Sequence, residues 1–260
     1  MIHLITAPSN PIIGILQISR ILEYTDELVW GLLTTMGLYL FAIIIGLGLG
    51  LVISIIRHFG GPLTSRIATT YIEIFRGTPL LAQILAVVAI PPALNAWLIS
   101  QGSAPIDIGW SIPVIGPFGN IRVFLDTTIL LCAVILAVNS AAYQAEFFRG
   151  SFASIAAGQT LAASSMGMTK AQLIRHVVLP QGLRRAIPAW SNEAVYLPKY
   201  TTLAYIVAVE ELFAKAKLVV ARTYQALAVY VMVAIIFLVM ISLISWLLEY
   251  VYKRVKIPGI

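Results

Sequence analysis

The chain has 260 residues, 60% of them hydrophobic and only 11% charged, with a mean hydropathy of +0.93. A soluble domain carries about 25% charged residues, so 17 Lys+Arg and 11 Asp+Glu cannot cover a water-soluble surface of this size. Soluble enzyme, secreted disulfide scaffold and disordered tail are excluded, leaving an integral membrane protein, in which the net charge of +6 reads as an orientation signal rather than a sign of nucleic acid.

A helix needs about 20 mainly apolar residues to cross the hydrocarbon core. Residues 11–19 are apolar but too short, and no basic residue precedes them, so they make a poor signal peptide. They read as an interfacial helix within an outer segment, 1–30, with a sixth span as the alternative. The transmembrane domain is expected over 31–260. Residues 31–56 form the first span and end at Arg57 and His58. Gly31, Gly37, Gly46, Gly48 and Gly50 within it allow close helix contact. Residues 79–99 form a second span, broken by Pro91 and Pro92.

The segment 100–122 is rich in Gly and Pro, which predicts turns in an outer excursion: a lid, a docking surface or a plain connector. Residues 124–147 are the third span, and Glu146 near its end is spaced to pair with Arg149. The loop 149–187 is long but helical in composition. An Ala-rich stretch from Ser154 to Met166 is interrupted by Gly167. Thr169 and Gln172 then have the spacing of a capping box, and Pro180 is expected to end the second helix. This helix–turn–helix either lies on anionic lipid or docks into another protein's groove.

Residues 188–209 are the fourth span and carry Glu193 and Lys199. Intramembrane charge is expensive and faces a cavity or a partner. Six residues put the two about 9 Å apart along one helix and off the same face, so each is expected to meet a separate partner. Thr201 and Thr202 either offer hydroxyls to a substrate or bond back to helix carbonyls. Residues 226–248 are the fifth span, uncharged and flanked by Tyr224, Trp246, Tyr250 and Tyr252.

Loop charge orients these spans. The loop 149–185 holds Arg149, Lys170, Arg175, Arg184 and Arg185 with no acid, and the first loop and the tail are also basic. The positive-inside rule puts the amino terminus outside and the carboxy terminus in the cytoplasm. Cys132 is the only cysteine, so neither a disulfide nor a cysteine metal cage is available. No Walker A pattern occurs, so the chain has no phosphate-cradling loop of that kind for ATP.

The stretch GQTLAASSMGMTKAQLIRHVVLPQ resembles the cytoplasmic signature of permease subunits of ATP-binding-cassette importers. Gly158, Ala162, Ala163, Gly167, Leu179 and Pro180 lie in it on or beside the signature's positions. Val177 replaces its Ile, and Leu161 stands where the family has Glu. A second stretch, YIEIFRGTPLLAQ, resembles the entry to the second span in the polar amino-acid branch, through Arg76, Gly77, Thr78, Pro79 and Gln83. A third, NEAVYLPKYTTLAYIVAVEEL, resembles a segment in which Asn-Glu precedes Lys-Asp; here Tyr200 replaces the Asp.

The resemblance implies an all-α integral membrane bundle of about five transmembrane helices, the type I importer permease fold with a cytoplasmic coupling helix. It implies a non-catalytic subunit in the plasma (inner) membrane that carries polar amino acids or related small solutes. It also implies two ATPase subunits holding ATP and Mg, a second permease subunit and an extracytoplasmic solute-binding protein. Docking falls to Gly158, Leu161, Ala162, Ala163, Gly167, Val177, Leu179 and Pro180. Asn192, Glu193, Lys199, Tyr200, Thr201 and Thr202 are the candidates for the substrate path. Another small polar solute is the alternative cargo. A stand-alone transporter or channel is the alternative class, but inverted repeats are not evident. An embedded enzyme is disfavoured, because His3, His58 and His176 are scattered.

Overall fold

The computed structural model describes residues 18–106, 109, 111–115 and 121–255. Ten helices follow in order among these residues: α1 (Ile18–Leu22), α2 (Thr25–Phe59), α3 (Pro62–Gly77), α4 (Leu80–Ser100), α5 (Thr127–Ala153), α6 (Ala157–Ser165), α7 (Lys170–Leu173), α8 (Leu179–Tyr200), α9 (Leu212–Thr223) and α10 (Ala226–Val255). Most of the predicted interfacial stretch lies outside the described residues; its last two residues open α1. Four helices, α2, α4, α5 and α10, are long and apolar enough to cross a membrane. The predicted fourth span is α8, continued by a 3-10 turn over Thr201–Val207. Its three prolines and its polar face lower its apolarity, and it packs within the bundle against α5 and α10.

The core forms between α2 and α5, the most extensive helix pair. Small residues set their approach. A Cβ on Gly46 would sit 2.6 Å from Gln144 Nε2, and one on Gly50 would sit 2.9 Å from the Ala141 carbonyl oxygen. Gly31 likewise lies against the backbone of Leu212 at the start of α9, whereas Gly37 and Gly48 face open space. The glycines four apart therefore bring two backbones together, as small residues do in membrane helices.

Two sequence expectations about proline are corrected. Helix α4 runs unbroken through Pro91 and Pro92. Two adjacent prolines remove only two ladder bonds, and the remaining turns on both sides hold the helix. Pro180 does not end a helix either. The backbone widens into a π turn over Ile174–Val178, and Pro180 then occupies the first turn of α8, where its ring meets a loosened preceding turn instead of clashing with it.

The outer excursion contains a hairpin, β1 (Ser111–Ile115) antiparallel to β2 (Ile121–Asp126), with Ser111 opposite Asp126 and Ile115 opposite Ile121. The start predicted for the third span, residue 124, therefore lies in β2, and α5 begins at Thr127 under the cap of the Asp126 carboxylate. On the same side of the bundle as the start of α2, Lys215 of α9 is buried and pairs with Glu27 and Glu210 at 2.8 Å each. That ion pair fixes α9 to α2. Glu211 caps α9 by accepting the Phe213 and Ala214 N–H groups.

Candidate translocation site and coupling surface

Helices α3 and α4 are separated by only Thr78 and Pro79. Proline at this point has no N–H to continue the ladder, and the free carbonyls are taken up by side chains. Gln83 Nε2 donates to the carbonyls of Phe75 (3.0 Å) and Thr78 (3.1 Å) and to the Thr78 hydroxyl (2.7 Å). Asn139 of α5 donates to the Phe75 carbonyl at 2.8 Å and to Gln83 Oε1 at 3.0 Å. Tyr71 adds a bond from its hydroxyl to the Val138 carbonyl at 2.6 Å. The break is thus stapled to the middle of α5.

Beside the break lies a cavity of about 320 Å3 lined by Arg76, Gly77, Thr78, Asn139, Tyr143 and Tyr200, with Pro79 and Leu80 completing the wall. The Arg76 guanidinium lies over the Tyr143 ring, 5.1 Å from its centroid. Arg76 is the one charged residue among those lining residues. A planar guanidinium held against an aromatic face presents its donors in a fixed fork suited to a carboxylate. The remaining walls offer two phenols, an amide and exposed backbone.

A second polar chain runs inside the bundle. Trp190 Nε1 donates to Gln144 Oε1 at 2.6 Å, Gln144 Nε2 donates to Ser140 Oγ at 3.0 Å, and Ser140 Oγ donates to Glu193 Oε1 at 2.6 Å. Glu193 is buried, so its carboxyl organises the α5–α8 contact and does not open onto the cavity. Lys199 turns away from it, with its ammonium 4.5 Å from the Tyr196 ring centroid. The two charges do have separate partners.

The predicted path residues are therefore not gathered in one place. Tyr200 lines the Arg76 cavity, while Lys199 and Thr202 line a different, mainly apolar cavity with Phe213 and Tyr230. Thr201 is fully buried and donates to the Pro198 carbonyl at 2.7 Å; Thr202 donates to the Lys199 carbonyl at 2.7 Å. Both hydroxyls thus follow the local alternative. Asn192 is exposed on α8. The structure adds Asn139 and Tyr143 to the cavity wall and Ser140 and Gln144 to the buried polar chain, four residues that were not named as path residues. Their signal was polarity: several hydrogen-bonding side chains within two turns of an otherwise apolar span.

At the far end of α5, Glu146 pairs with Arg149 and also with Arg57 of α2. Lys170 donates to the Phe59 carbonyl, and Arg185 to the Ser154 carbonyl at 2.8 Å. Phe148, Phe152, Ile155, Val178 and Ala186 form a core beneath, and Gly182 is needed there because a Cβ would come within 2.4 Å of Phe152. Helix α6 stands on this base. It ends in a Schellman turn, with Gly167 N–H bonded to the Ser164 carbonyl and Met168 N–H to the Ala163 carbonyl. Gly167 has φ of 79°, a left-handed conformation that favours glycine. The capping box at Thr169 and Gln172 is present.

Ala163 is the residue of α6 that faces inward, at 1% exposure, while Leu161 and Met166 are 70% and 72% exposed. Gly158 and Ala162 are exposed, Val177 and Leu179 are half-buried, and Pro180 is exposed. The unit is rigidly mounted and presents apolar side chains outward.

A family model described as binding-protein-dependent transport system inner membrane component matches residues 42–257. The chain is 30% identical over 213 residues to the glutamine transport system permease protein of Escherichia coli, covering 82% of this chain and 85% of that one. It is 28% identical over 234 residues to the L-cystine transport system permease protein of Bacillus subtilis, covering 90% and 89%. Among solved structures, an amino acid ABC transporter with histidines superimposes with TM-score 0.70 at 29% identity, over 90% of this chain and 96% of that chain. An inward-facing MetNI methionine ABC transporter superimposes with TM-score 0.70 at 16% identity, over 90% and 99%, which is a likeness of fold.

Proposed function

The chain belongs to the family of binding-protein-dependent transport system inner membrane components, the multi-pass and non-catalytic permease subunits of ATP-binding-cassette importers, and from that premise we propose that it conducts a polar amino acid through a site built on Arg76. The observation that carries this reading is the cavity at the α3–α4 break, where one guanidinium faces two phenols and an amide. Arg76 takes the substrate carboxylate, and Thr78, Asn139, Tyr143 and Tyr200 face the amino group and side chain. No acid is among the described lining residues, and Tyr200 supplies no negative charge. A cationic side chain would therefore lose its water without gaining a counter-charge. The preferred cargo is a neutral amino acid, as in the glutamine and cystine systems to which the chain is similar.

The proposal includes the partners. Two ATPase subunits hold ATP and Mg and dock against α6 through Leu161, Ala162 and Met166. A second permease subunit closes the path, and an extracytoplasmic solute-binding protein delivers cargo. The basic loop 149–185 supports an orientation with the coupling segment and the carboxy terminus in the cytoplasm and the amino terminus outside. Proteoliposomes containing the whole complex test the site. Arg76→Ala is expected to abolish uptake of labelled neutral amino acids while leaving the complex assembled. Unchanged uptake by Arg76→Ala, or arginine uptake exceeding that of every neutral amino acid in a homodimer of this chain, overturns it.

A further inference from the structure

We propose that the crevice between α2, α5, α8 and α10 holds an anionic phospholipid, with an acyl chain between the helices and the phosphate on Arg184. The crevice encloses about 350 Å3, and its walls include Leu47, Phe148, Leu183, Ile187 and Val251. Trp190 is part of the wall. Its indole N–H is already bonded to Gln144, so the crevice presents carbon to its occupant. An apolar gap of this kind does not hold water, and within a bilayer it fills with hydrocarbon.

The rim selects the headgroup. Arg184 is the charged residue among those lining the crevice, and it makes no ion pair among the described residues. Val251 and Val255 bring the last turns of α10 to the same place. Lys253 is paired with Glu249 at 2.7 Å, Arg254 lies over the Tyr250 ring, and neither lines the crevice, which leaves Arg184 as the charge that meets a headgroup. Six residues separate Arg184 from Trp190, about 9 Å along α8, which reaches from a headgroup into the acyl region. Basic pockets between membrane helices take anionic headgroups in this way. An acyl chain gains little by leaving other acyl chains, so lipid preference rests on the arginine.

The test uses the intact permease complex in phosphatidylcholine nanodiscs, with spin-labelled phosphatidylglycerol or spin-labelled phosphatidylcholine as probe. The immobilised component is expected to favour phosphatidylglycerol by roughly five-fold in the wild type, the effect of about one basic side chain at a membrane surface. Arg184→Gln should bring the ratio to about one, and Arg184→Lys should keep it. Leu183→Trp, which fills the crevice, should reduce immobilisation of both lipids. Equal binding of the two lipids by the wild type overturns the proposal without recourse to any variant. A disulfide between Leu47→Cys of one copy and Val251→Cys of another also overturns it, because a second subunit would then cover the crevice.

Discussion

Replacing Gly50 by alanine adds one methyl group to the α2–α5 interface. That Cβ would lie 2.9 Å from the Ala141 carbonyl oxygen, 2.9 Å from Gln144 Cβ and 3.1 Å from the Ala145 nitrogen. Ordinary contact begins near 3.4 Å, and two of the three atoms are backbone, so no rotamer change relieves the overlap. The helices must separate by several tenths of an ångström over their longest shared contact. Overpacking of this kind costs about 1–3 kcal/mol. The shift also stretches the bond from Gln144 Nε2 to the Ile43 carbonyl, already 3.4 Å long, and a buried polar group left unpaired costs about 1–3 kcal/mol more. A total of about 2–6 kcal/mol corresponds to a fall in Tm on the order of 4–24 °C for a chain of this size. Gly48→Ala is the internal control. It adds the same methyl two residues away on the same helix, where nothing lies within 4 Å, and it removes a glycine from a helix interior at a gain of up to about 1 kcal/mol. Thermal unfolding of the detergent-solubilised protein, followed by size-exclusion after heating, separates the two. Equal Tm values for Gly48→Ala and Gly50→Ala would refute the packing argument.

Gln83→Leu should lower stability by about 1–3 kcal/mol and reduce uptake more than a distant substitution of equal Tm cost, because the α3–α4 break loses its staple; uptake and Tm measured together decide. Gly167→Asp places an L side chain at φ of 79°, which costs about 1–2 kcal/mol, and should disturb the Schellman turn that orients α6. The expected result is loss of co-purification with the ATPase subunit while the chain still inserts in the membrane, and normal assembly with normal ATPase stimulation would contradict it. His58 lies past the first span with its pKa lowered, first by burial and then by the Arg149 charge. The folded state therefore favours neutral imidazole, and its contribution is complete above the unfolded value of about 6.5 and lost as pH falls through the lowered folded value. His58→Gln should flatten the acid limb of the stability–pH curve, and an unchanged limb would show that other groups set it.

Much of the site was legible one residue at a time. The capping box at Thr169, the Glu146–Arg149 pair and the separate partners of Glu193 and Lys199 followed from helical spacing, because three- and four-residue offsets decide which side chains can meet on one helix. The reading of Pro91, Pro92 and Pro180 as breaks failed. A proline's local cost is calculable, but whether the backbone absorbs it through a π turn depends on the rest of the helix. The grouping of the candidate path residues was out of reach for a related reason. Asn192, Glu193 and Lys199 through Thr202 are close in the chain, yet the helix turns them toward different neighbours, and of these only Tyr200 lines the Arg76 cavity.

The sequence by itself determined the membrane setting, the approximate position of most spans, the alternation of basic loops and the helical character of the loop 149–187, because each depends on local apolarity, charge and glycine conformation. Tertiary structure alone decided which of the glycines in α2 are contacts, that Asn139 and Gln83 staple the α3–α4 break, and that Arg76, Tyr143 and Tyr200 share one cavity. Those facts depend on the rotation of each helix about its axis against its neighbours. Packing sets that rotation, and no residue encodes it alone.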